Sequence, residues 1–303
     1  MYDIIIVGGG PAGLTAAIYG LRAGKTVLVI EKNGFGGQIA FSPKVENIPG
    51  IKVISGTEFA DKLTDQAMAL GADVELETVV NVEKADGIFR VHTEEASVYE
   101  GKSVILALGV KHRTLGLPGE AELIGNGISF CAVCDGAFYT GQEVAMIGGG
   151  NSALQEALLL SEVCTKVTVV QNLATFTGEQ KLADALMEKD NVTAIFSTVV
   201  VGYETENGTL IGLRLRNEVT GEESAISVDG AFLAVGLMPE NEPFAQLAQL
   251  NDWGYFDSAE DCTTQTPGIF VAGDCRSKRI RQVVTAAADG AIAAMAACRY
   301  LDN

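Results

Sequence analysis

Two stretches of the chain repeat one pattern of apolar and polar positions. Each opens on an apolar run, Asp3 to Val7 in the first and Glu143 to Ile147 in the second, then passes through a cluster of glycines. Apolar residues at helical spacing follow, and a second apolar run closes each unit, Thr26 to Ile30 and Lys166 to Val170. Short apolar runs rich in Val and Ile and bounded by glycine predict buried strands, and the longer periodic stretch between them predicts a helix. One constant offset carries Gly8, Gly10 and Gly13 onto Gly148, Gly150 and Ala153. Strand, glycine turn, helix and strand in that order make a βαβ unit. The predicted fold class is α/β, with two Rossmann-like dinucleotide-binding domains, the second inserted into the first.

Turn-forming residues suggest where the chain crosses between them. Gly116 to Glu120 precedes the second unit, and Met238 to Pro243 follows the apolar run Gly230 to Val235. Both read as crossover linkers. The expected organisation is therefore residues 1–115 and 244–303 in one domain and 116–243 in the other. The last segment is too short for a good independent core. It contains Gly268 to Asp274 and ends in an alanine-rich helix, and it is predicted to return to the first domain.

The first glycine cluster has a definite chemistry. Gly8 allows the tight turn, Gly10 lets backbone approach a pyrophosphate, and Gly13 lets the helix pack closely on the strand. Glu31 closes the second strand, where a carboxylate accepts hydrogen bonds from ribose hydroxyls. That suits FAD or NAD and disfavours a 2′-phosphate. The offset from Gly13 to Glu31, applied to Ala153, arrives at Gln171. A site for NADP would present arginines here, yet the chain reads Gln171, Asn172, Leu173, Ala174, Thr175, Phe176, Thr177. Each absent charge-assisted hydrogen bond removes roughly 1.5–3 kcal/mol, so two weaken NADPH binding by a factor on the order of a hundred to ten thousand.

Composition and charge narrow the partners. The chain has 303 residues, 48% of them hydrophobic, enough for two cores of ordinary size. A net charge of −18 opposes general affinity for nucleic acid or anionic lipid. The longest apolar runs stop well short of the roughly 18 residues of a membrane span. Six cysteines are few for a secreted framework, and no signal-peptide pattern opens the chain, so the expected location is the cytoplasm. Arg276 to Arg281 carries four positive charges and is a candidate docking patch for an acidic partner, against a solvated or cofactor-contacting segment.

Cys131 and Cys134 form the one Cys-x-x-Cys pair, with Asp135 beside them. Zinc would need further ligands, and His92 and His112 are isolated in sequence, so redox chemistry is the stronger reading and no metal is expected. Cys164, Cys262, Cys275 and Cys298 form no such pair, and inert packing is expected for each.

These residues, with Gly36-Gly37-Gln38, Val45 to Gly50, Gly273-Asp274 and Arg281 to Ala287, resemble the low-molecular-weight thioredoxin reductases along nearly the whole chain. The resemblance implies FAD bound by the first and last segments, a redox disulfide on the inserted domain, a homodimer, and thioredoxin as protein substrate. It places cofactor contacts at Gly8, Gly10, Pro11, Ala12, Gly13, Glu31, Lys32, Gly37, Gln38, Asn47 and Gly109. It also implies that Gly273 and Asp274 meet the ribityl and phosphate region and that Arg281, Gln282 and Val283 lie along the isoalloxazine. Cys134 is then the thiol facing the flavin, Cys131 the thiol that exchanges with thioredoxin, and Asp135 the acid/base, with a swing of the second domain between the two tasks. Familiar NADPH-dependent members carry arginines where this chain has Gln171 to Thr177. That departure resembles the branch that takes electrons from reduced ferredoxin, and ferredoxin is the expected donor. The alternatives are an NADPH-dependent thioredoxin reductase and, further off, a peroxide-reducing flavoprotein partner or a non-enzymatic flavin redox sensor or adaptor.

Overall fold

The structure is a computed structural model; it describes residues 1–42, 45–85 and 87–303 and divides into two compact units. One contains residues 1–42, Ile48–Lys111 and Met238–Asn303, the other His112–Leu237 with residues 45–47. Among the described residues no helix is long and apolar enough to cross a membrane.

The first unit is built on a seven-stranded sheet. Its parallel part runs in the order Asp73–Leu76, Val27–Glu31, Tyr2–Val7, Val98–Leu106. Ile88–Thr93 and Val79–Ala85 continue it antiparallel, while Ile269–Val271 pairs parallel with Val104 to Leu106 and so brings the carboxy-terminal segment into this sheet. Strand side chains alternate between faces. Ile4, Ile6, Val27 and Val29 therefore enter one core, and Ile5, Val7, Leu28 and Ile30 the core on the opposite face. Burial on both faces is why these strands are uninterrupted apolar runs. The helix Pro11–Arg22 packs against the final helix Val283–Asp302, whose small residues permit a close crossing. A Cβ on Gly290 would overlap the Ala12 carbonyl.

The second unit repeats this plan. Its parallel sheet runs Val192–Ile195, Lys166–Val170, Glu143–Ile147, Gly230–Leu233, Ile128–Ser129, and an antiparallel meander of Thr198–Glu206, Thr209–Asn217 and Glu223–Ser227 accompanies it. The two registers correspond: Ile4 pairs with Val27 as Val144 pairs with Val167. The turn is repeated too. Gly8 N–H donates to the Ile30 carbonyl at 2.8 Å and Gly148 N–H to the Val170 carbonyl at 2.9 Å. A Cβ on Gly13 would overlap the Gly8 carbonyl, whereas at the corresponding place in the second unit Ala153 fits and is fully buried.

The chain passes between the units at Lys111/His112, a few residues ahead of the turn-rich Gly116 to Glu120, and at Leu237/Met238, where the expected linker Met238 to Pro243 begins. Those segments are pinned within units by buried polar side chains. The Glu120 carboxylate accepts from Leu115 and Leu117 N–H at 2.8 and 3.0 Å, and the Asn241 amide donates to the Gly254 and Cys275 carbonyls at 2.9 and 3.0 Å. At the crossing itself Lys111–His112 and Leu237–Met238 pair as a two-stranded ribbon.

In the basic segment Arg276 to Arg281, Arg279 is exposed, while Arg276 and Lys278 turn inward. Arg276 is only 9% exposed and its guanidinium meets Asp289 at 2.8 Å, Ser258 at 2.8 Å and the Ala259 carbonyl at 2.9 Å. Lys278 meets the other Asp289 oxygen at 2.8 Å, which also accepts from Gly273 N–H at 3.0 Å. Asp289 thus pairs with two cations, one on each oxygen, and ties the last helix to the Gly273 turn. Removing one partner of a buried ion pair leaves uncompensated charge, so Asp289→Ala is expected to cost about 3–5 kcal/mol. Denaturant unfolding of the purified protein reads this directly, and an unchanged midpoint would contradict the role assigned to Asp289.

Candidate active site

The first glycine turn makes a cradle of backbone. Pro11 opens its helix at the first position, where a missing N–H costs nothing, and no side chain caps the free N–H groups that follow. A helix N-terminus left open in this way favours an anion. The Glu31 carboxylate, at the end of its strand, accepts from Gly9 N–H at 2.7 Å and from Asn33 N–H at 3.0 Å. This holds the acid beside the turn, with lone pairs remaining for hydroxyls. Gly36 and Gly37 adopt left-handed backbone, with φ of 109° and 62°, and Gly36 N–H returns to the Gly9 carbonyl at 2.8 Å. A Cβ on Gly10 would meet nothing closer than 3.9 Å, so the protein leaves room at that position.

The carboxy-terminal segment completes the cradle. Gly273, with φ of 80°, lies against Ala12 at the start of the helix, and a Cβ there would crowd the Ala12 methyl at 2.8 Å. Next to it Asp274 is half-buried, burial raises its pKa against the opposing pull of Lys278 and Arg281, and its buried Oδ1 has no hydrogen-bond partner among the described residues. A buried carboxyl oxygen without a partner is a site that awaits a donor. Arg281 donates to the Asp274 carbonyl at 3.2 Å and lies over the Tyr255 ring at 4.2 Å. Gln282 caps the last helix through a capping box with Thr285, and Val283 begins it. Gln38 donates to the Val110 carbonyl at 3.2 Å, beside Gly109, whose φ is 67°. An open helix start, a ribose-accepting acid and an unsatisfied buried carboxyl fit a flavin dinucleotide. Lys32 pairs with Glu240 at 2.6 Å, and Asn47 belongs with the second unit.

The second glycine turn has the same backbone and different surroundings. Gln171, only 4% exposed, lies against Gly149 where Glu31 lies against Gly9, and its amide donates to the Thr175 carbonyl at 3.2 Å. The loop folds back, with Thr177 and Gly178 N–H on the Gly149 carbonyl at 2.8 and 3.0 Å. Asn151, the first residue of the helix Asn151–Ser161, accepts from Glu179 N–H at 2.6 Å and donates to the Glu179 carboxylate at 3.3 Å. The polar groups at this helix start are therefore an amide and an acid, with no arginine or lysine from Gln171 to Glu179.

In the same unit Cys131 and Cys134 are joined as a disulfide, their Cα atoms 5.3 Å apart. Cys131 precedes the short helix Ala132–Asp135, and its sulfur accepts from Cys134 N–H at 3.2 Å. Asp135 accepts from the Ser129 hydroxyl at 2.6 Å, and that hydroxyl oxygen accepts from Cys131 N–H at 3.1 Å. Burial raises the Asp135 pKa, opposed by the Ser129 hydrogen bond. Its Oδ1 is unpartnered among the described residues. A carboxyl with a raised pKa and a free oxygen is suited to holding and releasing a proton. Glu156, from the helix behind, accepts from Ala132 N–H at 3.1 Å, and burial pushes its pKa up to about 7. Neither Ser129 nor Glu156 is recognised from the cysteine motif, although Glu156 announces itself as a charge within the buried stripe Ala153, Leu154, Ala157, Leu160. Cys164, Cys262 and Cys275 are buried thiols whose pKa values rise to about 11, 12 and 11, which keeps them protonated.

A helix start open to a dinucleotide and a Cys-x-x-Cys disulfide define a flavin-dependent disulfide oxidoreductase. The sequence profile of the pyridine nucleotide-disulphide oxidoreductases matches residues 2–290. The chain is 39% identical over 304 residues to thioredoxin reductase of Bacillus subtilis (strain 168), covering 100% of this chain and 96% of that protein. It is 38% identical over 303 residues to thioredoxin reductase of Treponema pallidum (strain Nichols), covering 100% and 98%. Among solved structures, thioredoxin reductase from Streptococcus pyogenes MGAS5005 superposes with a TM-score of 0.93 at 36% identity, covering 100% of this chain and 98% of that one. The chain belongs to the pyridine nucleotide-disulphide oxidoreductases and, among them, to the low-molecular-weight thioredoxin reductase family.

The cradle has a consequence specific to Gly10. Its backbone, at φ −80°, suits alanine, and the space beside it is open, so Gly10→Ala is expected to leave the apoprotein's unfolding curve unchanged. A diphosphate in that space meets the new methyl, and flavin content of the purified variant should fall about tenfold or more, a loss of at least about 1.4 kcal/mol in affinity. Full flavin occupancy in Gly10→Ala would contradict the placement of the diphosphate there.

Proposed function

We propose that this protein is an FAD-dependent thioredoxin reductase that receives its electrons from reduced ferredoxin. The observation that carries the donor half is the second glycine turn. Gln171 occupies the place of Glu31, it is turned into its own loop, and Glu179 is the charged group at the helix start. Neither the ribose carboxylate of an NAD site nor the guanidinium forks of an NADP site are offered. The Gly8 to Gly13 turn, Glu31, Asp274 and the Arg281 to Val283 segment would hold FAD, which when bound would supply a two-electron store that can be filled one electron at a time. A donor near about −400 mV and a thioredoxin near about −270 mV differ by roughly 6 kcal/mol for two electrons, so the direction is favourable.

The protein's own residues carry the thiol steps. Two electrons open the Cys131–Cys134 bond. The Cys131 thiolate attacks the thioredoxin disulfide, giving a mixed disulfide and releasing one thioredoxin sulfur as a thiolate. Cys134 then attacks the Cys131 sulfur, which reforms the pair and releases the second thioredoxin sulfur. The two released sulfurs take up two protons, and Asp135, linked to Cys131 N–H through Ser129, is the carboxyl placed to hold a proton for this exchange. The family resemblance also supports a homodimer working in the cytoplasm.

An NADPH-dependent thioredoxin reductase is the second reading. The backbone of the second turn favours it: the helix start at Asn151 has no side-chain cap, and a Cβ on Gly150 would meet nothing closer than 3.9 Å. Gly150→Ala separates the two. With the fold intact by its unfolding curve, the variant is expected to reduce thioredoxin with reduced ferredoxin at the wild-type rate, because no diphosphate uses that space. A fall of tenfold or more in NADPH-supported turnover would support the second reading and overturn ferredoxin as the donor.

A further inference from the structure

The disulfide turn rests on two carboxyl groups, and only Asp135 is used by the chemistry above. Glu156 belongs to a different element, the helix Asn151–Ser161, and reaches the backbone N–H of Ala132, the residue that follows Cys131. Its neighbours in the helix stripe, Ala153, Leu154, Ala157 and Leu160, are fully buried, and Leu160 lies against Gly136 at the far end of the turn. A carboxyl in an apolar stripe is costly unless something uses it. Asp135 is the charged group that acts on it, and it acts by repulsion. Tyr139 and Cys164, on the adjoining segments, are kept neutral by burial, their pKa values pushed up to about 12 and about 11. No basic side chain offsets the Glu156 charge among the described residues.

We propose that Glu156 is a positioning residue of the disulfide turn, which holds the Ala132 N–H and, through the gain or loss of its own charge, controls how readily the reduced Cys131 forms a thiolate. This rests on the redox reading of the cysteine pair. As a carboxylate, Glu156 places a negative charge one residue from Cys131 and raises the energy of a sulfur anion there. As a carboxylic acid it does not. Burial moves this change to about pH 7, so the control falls in the range where thiol exchange takes place. The Asp135 charge adds to burial in raising the Glu156 pKa, and both carboxyls flank the short helix that follows Cys131.

Glu156→Gln removes the charge and keeps an oxygen to accept the Ala132 N–H. The test uses the full-length holoprotein reduced with dithiothreitol and freed of it, and follows alkylation of Cys131 by iodoacetamide across pH, with the site read by peptide mapping. Below about pH 6, where Glu156 is protonated in the wild type, the two proteins are expected to react at the same rate. Above about pH 7 the variant is expected to react roughly three- to tenfold faster, since its thiol pKa no longer rises against a neighbouring carboxylate. Glu156→Ala, which also loses the acceptor, reports on geometry. Superimposed profiles for wild type and Glu156→Gln, or a shift confined to Glu156→Ala, would overturn the proposal. Thioredoxin turnover is measured separately, so a failure to reduce thioredoxin counts against the proposed function and leaves this inference standing or falling on its own profile.

Discussion

The passage from strand to helix at the glycine turn is the constraint on which the rest of the molecule depends. In both units a glycine N–H closes onto the last carbonyl of the neighbouring strand, at Gly8 to Ile30 and at Gly148 to Val170. That bond brings the helix start over the ends of the parallel strands, where ligands bind in open α/β sheets. In the first unit the crossing is tighter. Gly13 admits no Cβ beside the Gly8 carbonyl, and Gly290 of the last helix admits none beside Ala12. The last helix is in turn secured to the Gly273 turn by Asp289, which pairs with Arg276 and Lys278. Sheet, first helix, last helix and the Asp274 carboxyl are thus one assembly around an open helix start.

Two copies of one backbone then show what side chains add to it. Glu31 and Gln171 hold equivalent positions at strand ends, and both lie against the middle glycine of the turn. The acid keeps lone pairs for a ribose while bonded to Gly9 and Asn33. The amide instead donates to the Thr175 carbonyl of its own loop, and Glu179 stands at the helix start. The fold keeps its shape with either side chain at this position, because its core depends on the apolar residues of the strands and not on the turn's polar groups. What the second unit presents is the disulfide turn, supported by Ser129, Asp135 and Glu156.

Much of this was legible from residue order. The apolar runs around Ile4 to Ile6 and Val167 to Val170 are strands because burial on both faces leaves no place for polar residues, and the glycines between mark turns that side chains would block. The Cys131 and Cys134 pair was visible by spacing. Turn composition brought the crossing at Met238 into view and came within a few residues of the one at Lys111/His112, where the Glu120 carboxylate closes the turn-rich segment onto Leu115 and Leu117 inside the second unit. The count of charges in the basic segment left its role open because it says nothing of Asp289, whose place amid the alanines of the last helix was the available signal. Glu156 was hidden in the same way, as a lone acid in an apolar stripe.

The central claim is that the first dinucleotide fold holds a cofactor and the second holds none, so that electrons enter by way of the flavin from another protein. Anaerobic reduction of the purified flavoprotein, followed by its flavin absorbance, tests this most directly. Stoichiometric reduced ferredoxin is predicted to bleach the flavin rapidly, while equal amounts of NADPH or NADH leave it oxidised. Rapid bleaching by stoichiometric NADPH would contradict the account.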